Sequence, residues 1–200
     1  MPRVAFFDVD TQFDFINPQG KLSIKGATKI ISNLKSLTKF ANRNNITVFS
    51  SLDSHKKNDP EFKTFPSHCI RDSRGQKKIP VTLFKRIVFI GMKELKRNKI
   101  TSLLKRFKQI IIEKDTYTVF ANPNTKKLIT GFDTFYVYGV ALDYCVRACC
   151  LGLKKYKKKV FLITDATKEV NSKLKNKVIK ELRKKGVRFL KTKDILSNTI

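Results

Sequence analysis

The sequence is poor in the features that hold very small, secreted or membrane-spanning proteins together. Its 200 residues include only 4 cysteines, which lack CxxC spacing. No hydrophobic run reaches the roughly 18 residues of a membrane-spanning helix, and the first eight residues do not form a signal peptide. Repeats and linkers rich in Gly and Pro are also absent. With 41% hydrophobic residues, the chain is predicted to form one cytoplasmic domain over residues 1–200, with no membrane partner and with its cysteines as thiols.

Acidic residues are also scarce. The 16 Asp and Glu residues against 43 Lys and Arg residues give a formal net charge of +27, which attracts nucleic acids and other polyanions. The basic residues are dispersed, mostly as lysine, through stretches such as Lys93–Lys99, Lys154–Lys159 and Lys173–Lys185, with no nucleic-acid-binding motif. We therefore favour a solvated, lysine-rich surface and expect no specific nucleic-acid partner. A basic nucleic-acid-binding protein remains the alternative from another functional class.

Short β-branched and aromatic runs alternate with amphipathic segments along the chain. Such alternation is typical of a parallel sheet whose strands are buried on both faces. The predicted strands are Val4–Val9, Ile46–Ser51, Gln109–Ile112, Thr134–Tyr138, Val160–Thr164 and Val187–Leu190. We therefore predict an α/β fold of three layers, α/β/α, around a mainly parallel, six-stranded, Rossmann-like sheet.

Helices are predicted between these strands from stripes of apolar residues at helical spacing. They are Ala27–Arg43, Lys99–Lys108, Cys145–Tyr156 and Ser172–Lys185, the last of them followed by Gly186 as a C-cap. The segment Ser54–Pro80 is predicted to be a long functional loop. The sequence does not define the rest of the segment from Val81 to Lys108.

Polar residues stand where several predicted strands end. Asp10, Asp53, Lys114 and Asp165 each follow a hydrophobic strand directly, and Cys145 follows another strand after a short turn. Since ligands bind at the carboxyl edge of an open parallel sheet, we expect these five side chains to converge on one cleft.

Cys145 is the candidate nucleophile. Within Gly139–Val146, a turn that starts with glycine delivers it to the first turn of a predicted helix. The helix N-terminus and a nearby Lys114 ammonium would lower the pKa of the thiol, and an aspartate could accept its proton, so a thiolate is predicted. Cys149 and Cys150 lie one turn further on and are predicted to be small core residues.

The 2 histidines lie close to Asp53 in the sequence. Asp53 and His55 are two positions apart, which places both side chains on one side of an extended strand, and His68 could return along the loop to join them. Two imidazoles and one carboxylate form a set that binds transition metals and leaves open positions. Two solvated loop histidines are the alternative, and Cys69 is a further ligand that the sequence leaves open.

Five segments, in this order, carry a family resemblance. They are Asp10–Phe15, Asp53–His55, Phe65–Cys69, Lys114–Phe120 and Gly139–Val146. The chain resembles the isochorismatase-like cysteine hydrolases and, within them, the nicotinamidases. The match runs from Val4 to Ala166, and the combined order of the segments is far more specific than any one of them.

The resemblance implies an enzyme, a cysteine amidohydrolase, and assigns roles to residues of this sequence. Asp10, Lys114 and Cys145 match the catalytic triad. Asp53, His55 and His68 match the ligands of one divalent transition metal, with Zn, Fe and Mn all compatible with such ligands. A cis peptide bond is implied between Val140 and Ala141, with the N–H groups of Ala141 and Cys145 directed at the developing oxyanion.

The implied substrate is a small-molecule amide. The resemblance points to conversion of nicotinamide to nicotinate and ammonia through a thioester, a reaction of NAD salvage, with Phe15, Phe65 and Tyr117 around the ring. Three departures keep another small amide open as the alternative: Phe65 replaces a common Trp, Asp72–Gly75 replaces Gly-Thr-x-Gly, and the stretch from His68 to Lys114 is long. Isochorismatase activity is disfavoured because the cysteine and both histidines are present, and a homo-oligomer is left open.

Overall fold

The computed structural model describes residues 3–197 and contains a seven-stranded sheet. Its strands are β1 Val4–Val9, β2 Thr47–Asp53, β3 Ile87–Ile90, β4 Gln109–Lys114, β5 Thr134–Val140, β6 Lys159–Lys168 and β7 Arg188–Leu190. Their order across the sheet is β3-β4-β2-β1-β5-β6-β7, and every pair runs parallel. Residues 1–2 and 198–200 belong to the predicted domain but lie outside the described residues. Residues 1–2 also begin the segment that is predicted not to be a signal peptide.

Helices cover both faces of the sheet. They are α1 Phe13–Ile16, α2 Ile31–Arg43, α3 Arg97–Arg106, α4 Thr125–Ile129, α5 Arg147–Lys155, α6 Lys175–Lys184 and α7 Thr192–Leu196. One apolar core joins the sheet to α3, α4, α5 and α6, and a second core joins the opposite face to α1, α2 and α7. The predicted three-layer α/β/α fold is confirmed. Within residues 3–197, no helix has the length and hydropathy needed to cross a membrane.

The prediction of six strands is wrong, because β3 adds a seventh at one edge of the sheet. This strand has only four residues, and its first three are incompletely buried, with Phe89 56% exposed. A strand that is so short and so solvated lacks the continuous apolar run that marks the central strands. The neighbouring helix α3 begins two residues before the predicted segment.

The connection from β2 to β3 crosses one face of the sheet mainly as a loop, as predicted for Ser54–Pro80. It contains 3₁₀ turns at Pro60–Lys63 and Pro80–Thr82, together with isolated β-bridges that pair His55 with Ile70 and Lys78 with Gln12. A buried ion pair fastens it to the sheet, since Lys78 Nζ lies 3.1 Å from Asp8 Oδ2 in β1 and donates to Ser51 O at 3.2 Å. The loop that carries His68 is therefore anchored on the sheet beside the site.

Candidate active site and metal centre

Lys114 is the centre of a buried polar cluster at the carboxyl edge of the sheet. It ends β4 and is the register partner of Asp53, which ends β2. Its Nζ lies 2.6 Å from Asp53 Oδ1, 2.9 Å from Asp10 Oδ2 and 3.7 Å from Cys145 Sγ. Four of the five predicted polar residues thus converge, although they come from separate parts of the chain.

Asp165 is the exception, and its predicted place in the cleft is wrong. It lies inside β6, which continues to Lys168 through pairs such as Gly139 with Thr167. Its Oδ1 accepts hydrogen bonds from the backbone N–H and the hydroxyl of Thr192, at 2.8 and 2.9 Å. Asp165 therefore holds the start of α7 instead of facing the cluster.

Asp10 is fixed through both carboxylate oxygens. It directly follows β1 and has a φ of 47°, a left-handed conformation that costs a residue other than glycine roughly 1–2 kcal/mol. Ser51 Oγ donates to Asp10 Oδ1 at 2.6 Å and accepts from Asp10 N at 3.2 Å, while Oδ2 faces Lys114. Ser51 had no signal in the sequence, because a serine inside an apolar strand does not show which groups it will meet.

A tight backbone turn delivers Cys145 to the cluster. Gly139 has a φ of 116°, and a Cβ there would lie 2.1 Å from Val9 O, so only glycine fits. The Val140–Ala141 peptide bond is cis, as the resemblance implied. Cys145 then lies within a π-helical turn, Leu142–Val146, and α5 begins only at Arg147. The predicted helix start at Cys145 is therefore displaced by this turn.

The electrostatic setting of Cys145 differs from the prediction. Burial raises the pKa of its thiol well above the ordinary value of 9.0; Lys114 opposes this, but Asp10 and Asp53 add to it. The predicted lowering of the pKa of this thiol is therefore wrong, because burial outweighs the effect of the Lys114 ammonium. Burial lowers the pKa of Lys114, but Asp10 and Asp53 outweigh that effect and keep it a cation.

Asp53, His55 and His68 lie together, as predicted, with one ligand atom of each within 4.8 Å of the others. His55 Nε2 and His68 Nε2 are 3.0 and 3.5 Å from Asp53 Oδ2. Ligands held at 2.0–2.1 Å from a tetrahedral metal lie roughly 3.3 Å apart, so these separations fit one ion. Cys69 is outside this group, because its Sγ contacts Gly75 O at 3.9 Å.

An oxygen atom lies close to the second nitrogen of each histidine. His55 Nδ1 lies 3.0 Å from Asp59 Oδ2, and His68 Nδ1 lies 2.8 Å from Pro66 O. Such contacts orient imidazoles around metals and direct the other nitrogen inward. Burial lowers the pKa of His55, but Asp53 and Asp59 outweigh it and raise it to about 9. The excess of negative charge around these rings suits a cation, and the donor set fits a transition metal.

Glu61 and Asp59 join this region without having been predicted. Glu61 Oε1 is 3.9 Å from His68 Nε2, and both carboxylates form a second group with His55 that could hold a cation. Burial and the charge of Asp53 raise the pKa of Glu61. Asp59 and Glu61 follow His55 in a loop without periodic structure, so the sequence did not indicate that their carboxylates would lie close to the His55 ring.

A pocket opens beside the cluster. Its lining includes Asp53, His68, Ala141 and Cys145 together with the three predicted ring-binding residues Phe15, Phe65 and Tyr117. Tyr144 was missed, although it immediately precedes Cys145. It contacts Phe65 and Tyr117 with ring centroids 5.6 and 5.4 Å apart. The aromatic walls suit a ligand with a planar ring.

The fold and the pocket define a three-layer α/β/α protein with a candidate small-molecule site at the carboxyl edge of its sheet. Residues 95–194, half of the chain, match the model of the isochorismatase domain family. The chain belongs to this family.

Individual relatives are more distant. The chain is 23% identical to a nicotinamidase of Saccharomyces cerevisiae, over 88% of this chain and 93% of that one. Its fold resembles that of a pyrazinamidase of Pyrococcus horikoshii in complex with zinc, with a TM-score of 0.79, 24% identity and coverage of 95% and 99% of the two chains. It also resembles an N-carbamoylsarcosine amidase of Thermoplasma acidophilum, with a TM-score of 0.75, 20% identity and coverage of 95% and 96%.

Proposed function

We propose that this chain is a cysteine amidohydrolase that converts nicotinamide to nicotinate and ammonia. The observation that carries the proposal is the contact of one buried ammonium, Lys114, with Asp10, Asp53 and Cys145 beside a pocket with aromatic walls. The nicotinamidase and the pyrazinamidase among the relatives are named for amides of aromatic rings, which supports this choice.

In the proposed reaction, Asp10 accepts the Cys145 proton as the sulfur attacks the amide carbon. The C–N bond then breaks, Asp10 returns the proton to the departing nitrogen, ammonia leaves, and a thioester remains. Water, deprotonated by Asp10, hydrolyses the thioester to the carboxylate and restores the thiol. Because the pKa of the resting thiol is raised, proton transfer accompanies attack, and Lys114 stabilises the negative charge that moves between Asp10 and sulfur.

The remaining roles follow from position in the pocket. The N–H groups of Ala141 and Cys145, whose residues line the pocket, are proposed to donate to the oxyanion. Phe15, Phe65 and Tyr117 are proposed to enclose the ring. Hydrogen bonding to preorganised donors of this kind is worth about 3–4 kcal/mol of activation free energy per donor.

Asp53, His55 and His68 are proposed to hold one divalent transition metal, Zn, Fe or Mn. When bound, such an ion would supply a Lewis acid able to accept the lone pair of a pyridine nitrogen. Asp53 contacts Lys114 through Oδ1 and the histidines through Oδ2, so it links ring recognition to the catalytic cluster.

The proposal is tested by ammonia release from nicotinamide, pyrazinamide, benzamide and a non-aromatic amide. We expect nicotinamide and pyrazinamide to be hydrolysed and benzamide, which lacks the ring nitrogen, to be a poor substrate. Cys145→Ala, the control, should lose activity by about a thousandfold or more while remaining folded. Equal turnover of benzamide, or normal turnover by Cys145→Ala, would contradict the assigned roles.

A different small amide is the second candidate. Glu61 supplies a largely buried carboxylate to the pocket wall, which favours an amide that carries a hydrogen-bond donor or a positive charge. The amidase from T. acidophilum shows the same fold in a protein named for a non-aromatic substrate. Preference for the non-aromatic amide in the same assay would select this candidate.

A further inference from the structure

The parallel strands all begin at the edge of the sheet opposite the pocket. The pairing register aligns these starts, since Val4 pairs with Thr134, Thr134 with Lys159, and Ile87 with Gln109. We call this surface the amino edge and define it as the first residue of each strand with up to four described residues before it. Neighbouring strands are about 4.8 Å apart, so the edge is roughly 29 Å long.

The amino edge is cationic along almost its whole length. Basic residues precede or begin every strand except β5, and they include Arg3, Arg43, Arg86, Arg106, Arg188 and Lys157–Lys159. Within the described part of the edge, the acidic residue is Asp133, which accepts a hydrogen bond from Arg3 N at 2.8 Å. Basic residues that are dispersed in the sequence are therefore gathered by the topology of the sheet.

Arginine is more strongly enriched at this edge than lysine, although lysines also lie there. The five arginines there are half of those in the chain, whereas most of the far more numerous lysines lie elsewhere. A general bias of composition toward lysine does not place arginine selectively. Arginine is also the better partner for phosphate, because its planar guanidinium donates two parallel hydrogen bonds and is weakly hydrated.

Most of these arginines rest on aromatic rings that hold them in place. The guanidinium carbons lie 4.4 to 5.8 Å from ring centroids in the pairs Arg3 with Phe132, Arg86 with Phe107, Arg106 with Phe107, and Arg188 with Phe161. Stacking of this kind restricts the side chain before any partner binds, so less conformational entropy is lost on binding.

Helix ends account for only part of this pattern. Basic residues are favourable in the last turn of a helix, which explains Arg43 in α2 and Arg106 in α3. Arg3, Arg86 and Arg188 precede or begin strands and belong to no helix. Their selection at the edge needs another cause.

We propose that the amino edge binds the phosphodiester backbone of nucleic acid without sequence preference. An edge roughly 29 Å long that carries cationic side chains at six of its seven strand starts suits a duplex, which carries one phosphate charge per about 1.7 Å of its axis. A membrane surface fits less well, because the exposed large apolar residues found in the described chain, Phe89, Tyr117, Val170, Leu174 and Leu196, are not at strand starts. Since the pocket lies at the opposite edge, binding leaves the pocket open.

The test is the salt dependence of binding to a fluorescent DNA duplex of about 20 base pairs, between about 50 and 200 mM salt. In R3Q/R86Q/R106Q/R188Q, we expect the slope of log affinity against log salt to fall by about 3 to 4, because each lost phosphate contact removes about 0.9. K25Q/K29Q/K93Q/K96Q removes the same charge from segments outside the amino edge and should change the slope by less than about 1.

Loss of stacking could unfold the arginine variant, so K105Q/K108Q/K157Q/K159Q provides a second test at the amino edge. Thermal unfolding is followed for every variant, and this lysine variant should also lower the slope more than the control does. Equal losses in the edge and control variants would show that the charge acts diffusely and would overturn the proposal. Strong preference for one of two unrelated duplexes, or edge-dependent binding of phosphatidylserine vesicles without edge-dependent binding of DNA, would also overturn it.

Discussion

The protein contains two buried lysine–aspartate centres whose settings differ. Lys114 contacts two carboxylates and a thiol at the pocket. Lys78 contacts one carboxylate, Asp8, and a backbone carbonyl beneath the long loop. The pocket lining includes Asp53 and Cys145 from the first centre, whereas Asp8 is held by internal hydrogen bonds, including one from Thr11 Oγ1 at 2.8 Å.

This difference indicates that the Lys114 centre is placed for catalysis and that the Lys78 centre holds a loop in position. A buried ion pair is weak evidence for function, because its attraction roughly offsets the cost of removing two charges from water. The Lys114 centre is distinguished by a nucleophile and by access to a pocket. The Lys78 centre instead fastens a loop where no regular helix connects β2 to β3. We therefore expect the two lysines to respond differently to the same substitution.

The largest expected effect is on activity. Lys114→Met should lower kcat/KM for nicotinamide by about a hundredfold or more, because two carboxylates would lose their cation and the sulfur would lose its electrostatic support. Lys78→Met should keep kcat/KM within about tenfold. Initial rates of ammonia release at matched folded concentrations measure both. Similar losses in the two variants would erase the distinction between the centres.

The next effect concerns metal, which is expected only at the Lys114 side of the sheet. The purified protein should carry about one transition-metal ion per chain, and His55→Ala with His68→Ala should remove it. Cys69→Ser is the matched control and should retain the metal, since Cys69 Sγ contacts Gly75 O. Elemental analysis after metal supplementation decides this, and a metal-free wild-type protein would refute the ligand assignment.

A third effect is on stability. Lys78→Met leaves Asp8 buried without its cation and should lower the free energy of unfolding by about 3–5 kcal/mol. Burial raises the pKa of Asp8 despite Lys78, and the loss of Lys78 raises it further. A raised carboxyl pKa lowers stability as pH rises through it, so the loss should be greatest at neutral pH and smaller in acid.

Asp8→Asn provides the control for this stability effect. Because it removes the uncompensated charge, the double variant Lys78→Met/Asp8→Asn should recover much of the lost stability. Urea unfolding at neutral and acidic pH measures all three variants. A double variant less stable than Lys78→Met alone would show that Asp8 is not the source of the loss.

The same contrast explains what the sequence could predict. Asp10, Asp53 and Lys114 were found because each follows an apolar strand, and parallel strands must end at one edge. Lys78 was not found, because nothing local indicates that a loop lysine will be buried. Asp165 was placed wrongly because the apolar run ends before it, whereas the strand continues through backbone pairing to Lys168. Local sequence locates strand ends better than it reveals long-range burial.

The smallest effect concerns the protonation of Cys145. The sequence predicted a lowered pKa for this thiol, but burial raises it. Iodoacetamide reacts with thiolate, and the thiolate fraction falls tenfold for each pH unit below the pKa. Because burial raises the pKa of Cys145 above 9.0, labelling should keep rising from pH 7 to about 9 without a plateau.

Cys145 lines the pocket, whereas Cys69, Cys149 and Cys150 do not, so it should still be labelled first among the four. Peptide mapping over a pH series measures both features. A plateau below about pH 8 would restore the resting thiolate, and faster labelling of Cys149 or Cys150 would remove Cys145 from the proposed mechanism.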